Sequence, residues 1–269
     1  MTADTEYAVK GADVIVLAVA SPYTRSTAKL FAPFVKEGQY VVNVGKGIEE
    51  STLMTLCQVV EEEIPAATVA VLSGPSHAEE VSTGIPTAIV IASKYIDVLY
   101  NVQDALMDEH LRIYTSTDVK GVELGGALKN IMAFCAGIAA ELQLGDNTFA
   151  ALITRGLTEI SRLGVAMGGN HNTFYGLSGL GDLIVTCLSE HSRNRRAGRC
   201  IGKGLSVEET REEIGMVVES FDNIEVTYKL SKKYNIEMPI VNTVYDILYN
   251  NLEPKEAVKR LMTREKKSE

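Results

Sequence analysis

A single lysine interrupts one of the most apolar segments of this 269-residue sequence. Lys129 lies within residues 121–137, GVELGGALKNIMAFCAG, where most other side chains are small or hydrophobic. Side chains on a helix lean toward its N-terminus, so the ammonium group would lie over Gly125 and Gly126, whose missing side chains leave an opening there. A buried lysine at such an opening is a candidate for a lowered pKa and acid–base chemistry. The alternative, a lysine that reaches solvent past glycines needed for close helix packing, stays open.

Two short segments follow strand-like runs and could form an anion-binding rim. Lys46 follows the run 40–44, and Gly74 and Ser76 follow the run 68–72. The carboxyl ends of parallel strands meet at one edge of a sheet, where ligands bind. A lysine, a glycine N–H and a serine hydroxyl at this edge suit a small anionic or hydroxylated ligand. The alternatives are a solvated lysine and an ordinary tight turn.

A carboxylate in the second half of the chain has two interpretations. Asp182, in the string GLGDLIVTC, is of the type that caps helices, with Thr186 following one turn later. It could instead orient Lys129 or accept a hydrogen bond from a substrate hydroxyl. The sequence favours the cap but does not exclude the second role.

The string SRNRRAGR contains the elements of a phosphate site. Ser192 is a typical helix N-cap, which would place Arg193 and Asn194 in the first turn. Free N–H groups, the positive end of the helix dipole and a guanidinium together bind phosphate. Five basic residues between Arg193 and Lys203 also fit a solvated helix face. A nucleic-acid patch is a weaker alternative because no aromatic residues are interleaved with the basic ones.

The elements that must position these residues differ between the two halves of the chain. Residues 1–117 alternate short Val/Ile-rich runs with helix-period segments, which predicts a mainly parallel, doubly wound α/β sheet covered on both faces. One antiparallel pair is expected near 68–93. The predicted strands are 13–20, 40–44, 68–73, 86–93 and 111–116, and the predicted helices are 25–36, 51–64 and 94–107.

After Asp118 the strand signals stop, which predicts an all-α second domain. We therefore expect domains at residues 1–117 and 118–269. The predicted helices of the second domain are 118–143, 147–167, 179–189, 192–203, 219–234, 238–249 and 254–264.

Composition excludes several classes of protein. With 26 Lys+Arg against 35 Asp+Glu, the net charge of −9 argues against general nucleic-acid or membrane binding. The longest uninterrupted apolar run, residues 14–20, is far shorter than a membrane span, and residues 1–10 do not resemble a secretory signal. The four cysteines show no metal-type spacing, so we expect reduced, packed thiols in a cytoplasmic protein and no metal site.

Six motifs, taken together, resemble the bacterial NAD(P)-dependent glycerol-3-phosphate dehydrogenase family. This resemblance implies a Rossmann-type dinucleotide-binding domain followed by a helical substrate-binding domain. It also implies interconversion of sn-glycerol 3-phosphate and dihydroxyacetone phosphate for glycerophospholipid synthesis, with NAD or NADP as cofactor. The motifs are NVGKGIE from Asn43, LSGPSHAEEV from Leu72, ELGGALKN from Glu123, GLSGLGDLIVTC from Gly176, HSRNRRAG from His191 and MVVE from Met216.

The resemblance assigns roles residue by residue. It implies that Lys129 is the catalytic proton donor and acceptor. The implied substrate-binding residues are Lys46, Gly74, Ser76, Lys129, Asp182, Ser192, Arg193 and Asn194. The implied cofactor-binding residues are Lys46, Ala78, Arg193, Val217 and Glu219.

One family feature is absent from these residues. A nucleotide-binding sheet opens with a G-x-G-x-x-G turn, and no such string occurs here. At about 30 residues per βαβ unit, we expect roughly two strand–helix units to be missing. Those units hold the pyrophosphate and select NAD or NADP, so the sequence leaves that choice open.

Two alternatives to a glycerol-3-phosphate dehydrogenase remain at this point. One is a truncated, non-catalytic relative that binds glycerol phosphate, and the other is a related reductase of a small carbonyl compound. A homodimer is compatible with the sequence, and the expected partner is a small-molecule substrate.

Overall fold

The first half of the chain forms one five-stranded sheet in a computed structural model, which describes residues 2–266 and 268. The strands lie side by side in chain order. All neighbours are parallel except the third and fourth, which are antiparallel. The predicted mixed sheet is therefore confirmed. Its strands are β1 (Val14–Leu17), β2 (Tyr40–Asn43), β3 (Thr68–Ser73), β4 (Thr87–Ala92) and β5 (Leu111–Ser116).

Helices cover both faces of this sheet, as its continuous apolar strands require. Val41 and Val69 pack on the side of the second and third helices, whereas Val42 and Ala70 pack on the side of the fifth. These helices are α1 (Thr5–Val9), α2 (Thr24–Phe31), α3 (Leu56–Glu63), α4 (Ala78–Val81) and α5 (Ile96–Leu106).

The predicted helix 51–64 begins later than expected. Leu53 has a φ of 60°, a left-handed conformation that a helix cannot contain. Thr55 and Gln58 then form a capping box that starts α3 at Leu56. The predicted start at residue 51 was wrong because the capping box of Thr55 and Gln58 fixes the first turn of α3 at Leu56.

The second half is all-helical, as predicted. The seven expected helices are present, together with two further helices that were not predicted, α8 and α11. The second of these had a readable signal, because Ser206 and Glu209 form a capping box. The helices are α6 (Val119–Glu141), α7 (Gly145–Ala166), α8 (His171–Phe174), α9 (Asp182–Leu188), α10 (Arg193–Gly202), α11 (Val207–Ile214), α12 (Glu219–Lys233), α13 (Pro239–Tyr249) and α14 (Pro254–Met262).

Helix α6 is the core of the second half. It is long and apolar enough to cross a membrane, with a mean hydropathy of 1.3 over an 18-residue window. However, 94% of that window is buried inside the fold, against the surrounding helices and the sheet. It is therefore the central helix of a folded domain, and the polar side chains it carries, Lys129 among them, face other protein groups.

Helices α6 and α10 cross at backbone contact distance. A Cβ atom on Gly198 would lie 1.9 Å from the carbonyl oxygen of Phe134, and one on Gly137 would lie 2.0 Å from that of Arg195. Only glycine fits at either position. This contact holds the first turn of α10 against the helix that carries Lys129.

Replacing Gly198 by alanine is expected to destabilise the protein by about 3 kcal/mol, since overpacking forces the backbones apart. This expected loss of stability is opposite in sign to the effect of helix propensity, which favours alanine over glycine by roughly 1 kcal/mol. Urea denaturation measures the free energy of unfolding. Arg196→Ala, an exposed change on the same helix, is the control and is expected to stay within about 0.5 kcal/mol of wild type. A Gly198→Ala protein as stable as this control would contradict the close crossing.

Candidate active site

Lys129 is buried beside Asp182, 53 positions later in the chain. Its side chain is 6% exposed. The ammonium donates hydrogen bonds to Asp182 Oδ1 at 2.7 Å and to Thr186 Oγ1 at 2.5 Å. The alternative of a lysine that reaches solvent is therefore wrong. Two of its three N–H donors are committed, which leaves one for a bound molecule.

The carboxylate of Asp182 joins two lysines. Its Oδ2 accepts a hydrogen bond from Lys46 Nζ at 2.6 Å, and Lys46 also donates to the Gly74 carbonyl at 3.0 Å. Asp182 is the first residue of α9, but its side chain faces the lysines instead of capping the helix. Lys46 comes from the loop after β2, so this carboxylate connects the sheet to the helical half. We name the space around Lys46, Lys129 and Asp182 the cleft.

The glycines next to Lys129 have a different role from the one predicted. A Cβ atom on Gly126 would lie 2.7 Å from Ser73 Oγ, and one on Gly125 would lie 2.7 Å from the carbonyl oxygen of Ser178. The expected opening over the helix is therefore wrong, because neighbouring segments fill it. The missing side chains let the end of β3 and the turn before α9 approach α6, which brings Lys46 and Asp182 within reach of Lys129.

Burial and the charges of neighbouring groups compete in setting the pKa values of Lys129 and Asp182. Burial lowers the pKa of Lys129 to about 8, although the Asp182 carboxylate opposes the shift. Burial raises the pKa of Asp182, but the two ammonium groups outweigh it, so the pKa lies below the usual range. Lys129 thus titrates near neutral pH while Asp182 stays ionised, which is the condition for a lysine acid–base catalyst.

The first turn of α10 lies at the same cleft. Ser192 caps the helix, with its Oγ accepting from Arg195 N at 3.2 Å. Asn194 is buried and its Oδ1 accepts from Ser220 N at 2.9 Å, which leaves its amide N–H groups uncommitted among the described residues. Arg193 donates to the carbonyl oxygen of Val217 at 3.1 Å. The helix N-terminus, an amide and a guanidinium are thus close together, as a phosphate site requires.

The basic run that follows is partly neutralised within the protein. Arg195 is paired with Glu190, and Arg199 lies 3.4 Å from Glu190 and 3.6 Å from Glu141. These ion pairs disfavour the nucleic-acid patch considered from the sequence, since two of the five basic side chains already have carboxylate partners.

Glu219 lies beside Arg193 and accepts a hydrogen bond from Asn130, a residue that was not predicted from the sequence. Asn130 Nδ2 donates to Glu219 Oε2 at 2.9 Å. Burial raises the pKa of Glu219, opposed by the charges of Lys129, Arg193 and Lys46. The only sequence signal for a role of Asn130 was its position directly after Lys129.

The remaining predicted residues lie on the sheet side of the cleft. Gly74 has a φ of 142°, and a Cβ there would lie 3.0 Å from Ile89 Cα, so the turn requires glycine. Its carbonyl oxygen accepts from Ser76 Oγ at 3.1 Å. A cavity of about 220 Å³ is lined by Lys46, Ser76 and Ala78, among others.

A larger cavity lies elsewhere. A space of about 460 Å³ lies between α6, α7, α13 and α14, and none of the predicted site residues lines it. Arg155, Glu159 and Arg162 are among the residues that line it, but Lys46, Lys129 and Asp182 are not. The site is therefore identified by the hydrogen bonds that join Lys46, Asp182 and Lys129, and not by cavity volume. Among the described residues, no group of three or more His, Cys, Asp or Glu side chains could hold a metal ion.

Fold and site together define a class. A Rossmann-type sheet precedes a helical domain, and a buried lysine–aspartate pair lies where the two halves meet, which is the architecture of a two-domain dehydrogenase. The model for the N-terminus of NAD-dependent glycerol-3-phosphate dehydrogenase matches residues 1–98, and the model for its C-terminus matches residues 118–259. The chain belongs to the NAD-dependent glycerol-3-phosphate dehydrogenase family.

Individual relatives agree with this assignment. Glycerol-3-phosphate dehydrogenase [NAD(P)+] of Agathobacter rectalis is 53% identical over 100% of this chain and 80% of its own length. The enzyme of the same name from Fusobacterium nucleatum is 51% identical over 100% of this chain and 81% of its own length. The crystal structure of glycerol-3-phosphate dehydrogenase from Coxiella burnetii superimposes with a TM-score of 0.93 at 37% identity, covering 97% of this chain and 80% of that one. The chain thus spans about four fifths of the length of these relatives.

Proposed function

We propose that this chain catalyses the NAD(P)-linked interconversion of dihydroxyacetone phosphate and sn-glycerol 3-phosphate at the cleft. The observation that carries the proposal is the buried Lys129–Asp182 pair beside the first turn of α10. This arrangement places an acid–base group next to a phosphate-binding helix terminus. The names of the relatives and the family models support the same reaction.

The residues at the cleft fit a nicotinamide cofactor. Lys46 and Ala78 line the smaller cavity, where the hydroxyl of Ser73 is buried without a partner among the described residues. An unpaired hydroxyl and backbone groups suit a carboxamide, which both donates and accepts hydrogen bonds. On the other side, next to Lys129, lie Arg193, Val217 and Glu219. When bound, a reduced nicotinamide supplies the hydride that adds to C2 of dihydroxyacetone phosphate.

Substrate binding follows from the charges at the site. The cations Lys46, Lys129 and Arg193 outnumber the carboxylates Asp182 and Glu219, so a phosphate dianion is attracted. Arg193, the Asn194 amide and the free N–H groups of the α10 first turn bind the phosphate, with Ser192 holding that turn in place.

Sheet-side residues orient the rest of the substrate. Lys46 and Ser76 bind the hydroxyl and carbonyl oxygens, in a turn that Gly74 makes possible. Asp182 holds the Lys129 ammonium so that its third N–H points to the C2 oxygen. That proton is transferred to the oxygen as C2 is reduced, and neutral Lys129 takes it back in the reverse reaction.

The direct test is loss of reduced-nicotinamide absorbance when dihydroxyacetone phosphate is added to the purified chain. NADH and NADPH are run in parallel, since the cofactor preference is not fixed by the residues described. Turnover that requires the phosphorylated substrate supports the proposal. Equal turnover of an unphosphorylated keto acid would favour the small-carbonyl reductase instead, and no turnover with bound glycerol 3-phosphate would favour a non-catalytic relative.

The two directions are expected to have opposite pH dependence. Reduction needs protonated Lys129, so its kcat/KM falls about tenfold per pH unit above the pKa of about 8. Oxidation needs neutral Lys129, so its kcat/KM rises with pH up to the same point and then levels off. The substrate phosphate titrates near pH 6 and contributes little above pH 7. Initial rates from pH 7 to 9.5 in both directions test this, and rates that change with pH in the same direction for reduction and oxidation would contradict it.

The proposal extends to the domain boundary, the compartment, the biosynthetic role and the oligomeric state. The domains divide at residues 117/118, between the end of β5 and the Asp118 cap of α6. The enzyme works in the cytoplasm, which agrees with four free cysteines. Its product supplies the glycerol phosphate backbone of phospholipids, and whether it acts as a homodimer stays a prediction.

A further inference from the structure

Two histidines to which the sequence analysis gave no role meet at the cleft. His77 lies between β3 and α4, and His191 lies between α9 and α10, directly before Ser192. Their ring centroids are 6.1 Å apart with the planes tilted by 56°. One ring comes from the sheet half and the other from the helical half, so the pair bridges the cleft.

The ring of His77 has an unused polar atom. Its Nε2 is buried, yet it has no hydrogen-bond partner among the described residues. A ring nitrogen is always a donor or an acceptor, and a buried one without a partner costs free energy. Such an atom at the edge of a binding site indicates that a group of a bound ligand serves as its missing hydrogen-bond partner.

Charges of both signs surround the pair. His77 is influenced by Lys129 on α6, Asp182 on α9, and Glu79 and Glu80 on α4, and burial and the Lys129 charge lower its pKa. The only acid adjacent to His191 in sequence, Glu190, is paired with Arg195 and Arg199. A phosphate dianion within hydrogen-bond reach of both rings would supply the partner that His77 Nε2 lacks.

We propose that His77 and His191 bind the phosphate group of the substrate, as two donors additional to the first turn of α10, and so close the cleft over it. This inference rests on the proposed function only for the identity of the phosphate ester. The pair selects phosphorylated over unphosphorylated carbonyl substrates, because an uncharged substituent gains little from two imidazolium donors.

Histidine titration by NMR tests the inference without turnover. The imidazole resonances of His77 and His191 are expected to titrate at higher pH when glycerol 3-phosphate is bound. His110 and His171 are the internal controls, since both are exposed and contact other groups, Glu109 and Tyr175. Unchanged titration of His77 and His191 in the saturated protein would overturn the proposal.

Substitution gives an independent measurement. The His77→Gln/His191→Gln double variant is expected to bind glycerol 3-phosphate and inorganic phosphate about tenfold more weakly by calorimetry, as loss of charge-assisted hydrogen bonds predicts. KM for dihydroxyacetone phosphate should rise by a similar factor, more than kcat falls. The matched control is His110→Gln/His171→Gln, which should bind like wild type.

The outcomes separate this inference from the proposed function. Wild-type binding that the double variant weakens supports the histidine pair even if no turnover occurs, in which case only the proposed function fails. Normal turnover with equal phosphate affinity in both double variants overturns the histidine pair and leaves the proposed function intact.

Discussion

Removal of the Lys129 side chain is expected to lower kcat for dihydroxyacetone phosphate reduction by about 10³-fold, the middle of the range for losing a general acid. KM should change much less, because the lysine acts mainly on the oxygen that gains a proton in the transition state. The Lys129→Ala protein is compared with wild type in the reduced-nicotinamide assay at pH 7.

Two controls separate chemistry from folding. Lys129→Met keeps most of the volume without the charge, and it should be as inactive as the alanine variant. Lys120→Ala, nine residues earlier on the same helix, should keep near-normal kcat. Partial recovery of the alanine variant by added methylamine would show that a missing amine is the defect. A Lys129→Ala enzyme with near-normal kcat would remove Lys129 from the mechanism.

Local patterns in the sequence predicted most of the fold. The five strands follow from Val/Ile-rich runs, and α6, α7 and α12 follow from long helical periods, because these signals lie within the elements themselves. The helix missed at Val207–Ile214 is short, and its start had to be recognised from Ser206 and Glu209 alone.

The site could be predicted only in part, because its contacts join distant segments. Lys129 was a candidate from its own surroundings, whereas the surroundings of Asp182 favoured a helix cap and only the family resemblance implied a substrate-binding role. Their ion pair depends on how α9 packs on α6. Gly125 and Gly126 show the limit best. Glycine beside a buried lysine fits both an opening and a close contact, and only the positions of Ser73 and Ser178 decide between them. The histidine pair, 114 positions apart, has no signal in the sequence.

Asp182→Asn is expected to be the most disruptive single change that keeps side-chain volume. It leaves Lys129 and Lys46 without the carboxylate they share, and breaking a buried pair by removing one partner costs about 3–5 kcal/mol. Because the Asp182 charge raises the pKa of Lys129, its loss lowers that pKa further. Activity should fall by about 10²-fold or more at pH 7, since the proton donor is then largely neutral.

The stability deficit of this variant has a predictable pH dependence. When Lys129 is neutral in the folded variant but charged in the unfolded chain, the unfolded state binds more protons, so stability rises with pH. Wild-type Lys129 stays mostly charged up to its pKa of about 8 and gains little from pH 7 to 8. The difference in unfolding free energy between wild type and the Asp182→Asn variant should therefore decrease by about 1 kcal/mol from pH 7 to pH 8. Urea denaturation at pH 7.0, 7.5 and 8.0 measures it.

The matched control for this experiment is Asp246→Asn. Asp246 is bonded to Arg260, whose side chain is 58% exposed, so the change should cost at most about 1 kcal/mol, with no effect on activity. If the role of Asp182 were purely structural, the variant would lose stability, but its kcat/KM for reduction would still begin to fall at about pH 8. The proposed role moves the start of this fall to lower pH, because the carboxylate sets the pKa of Lys129 as well as its position. An Asp182→Asn enzyme whose kcat/KM still begins to fall at about pH 8 would show that Asp182 acts only in packing.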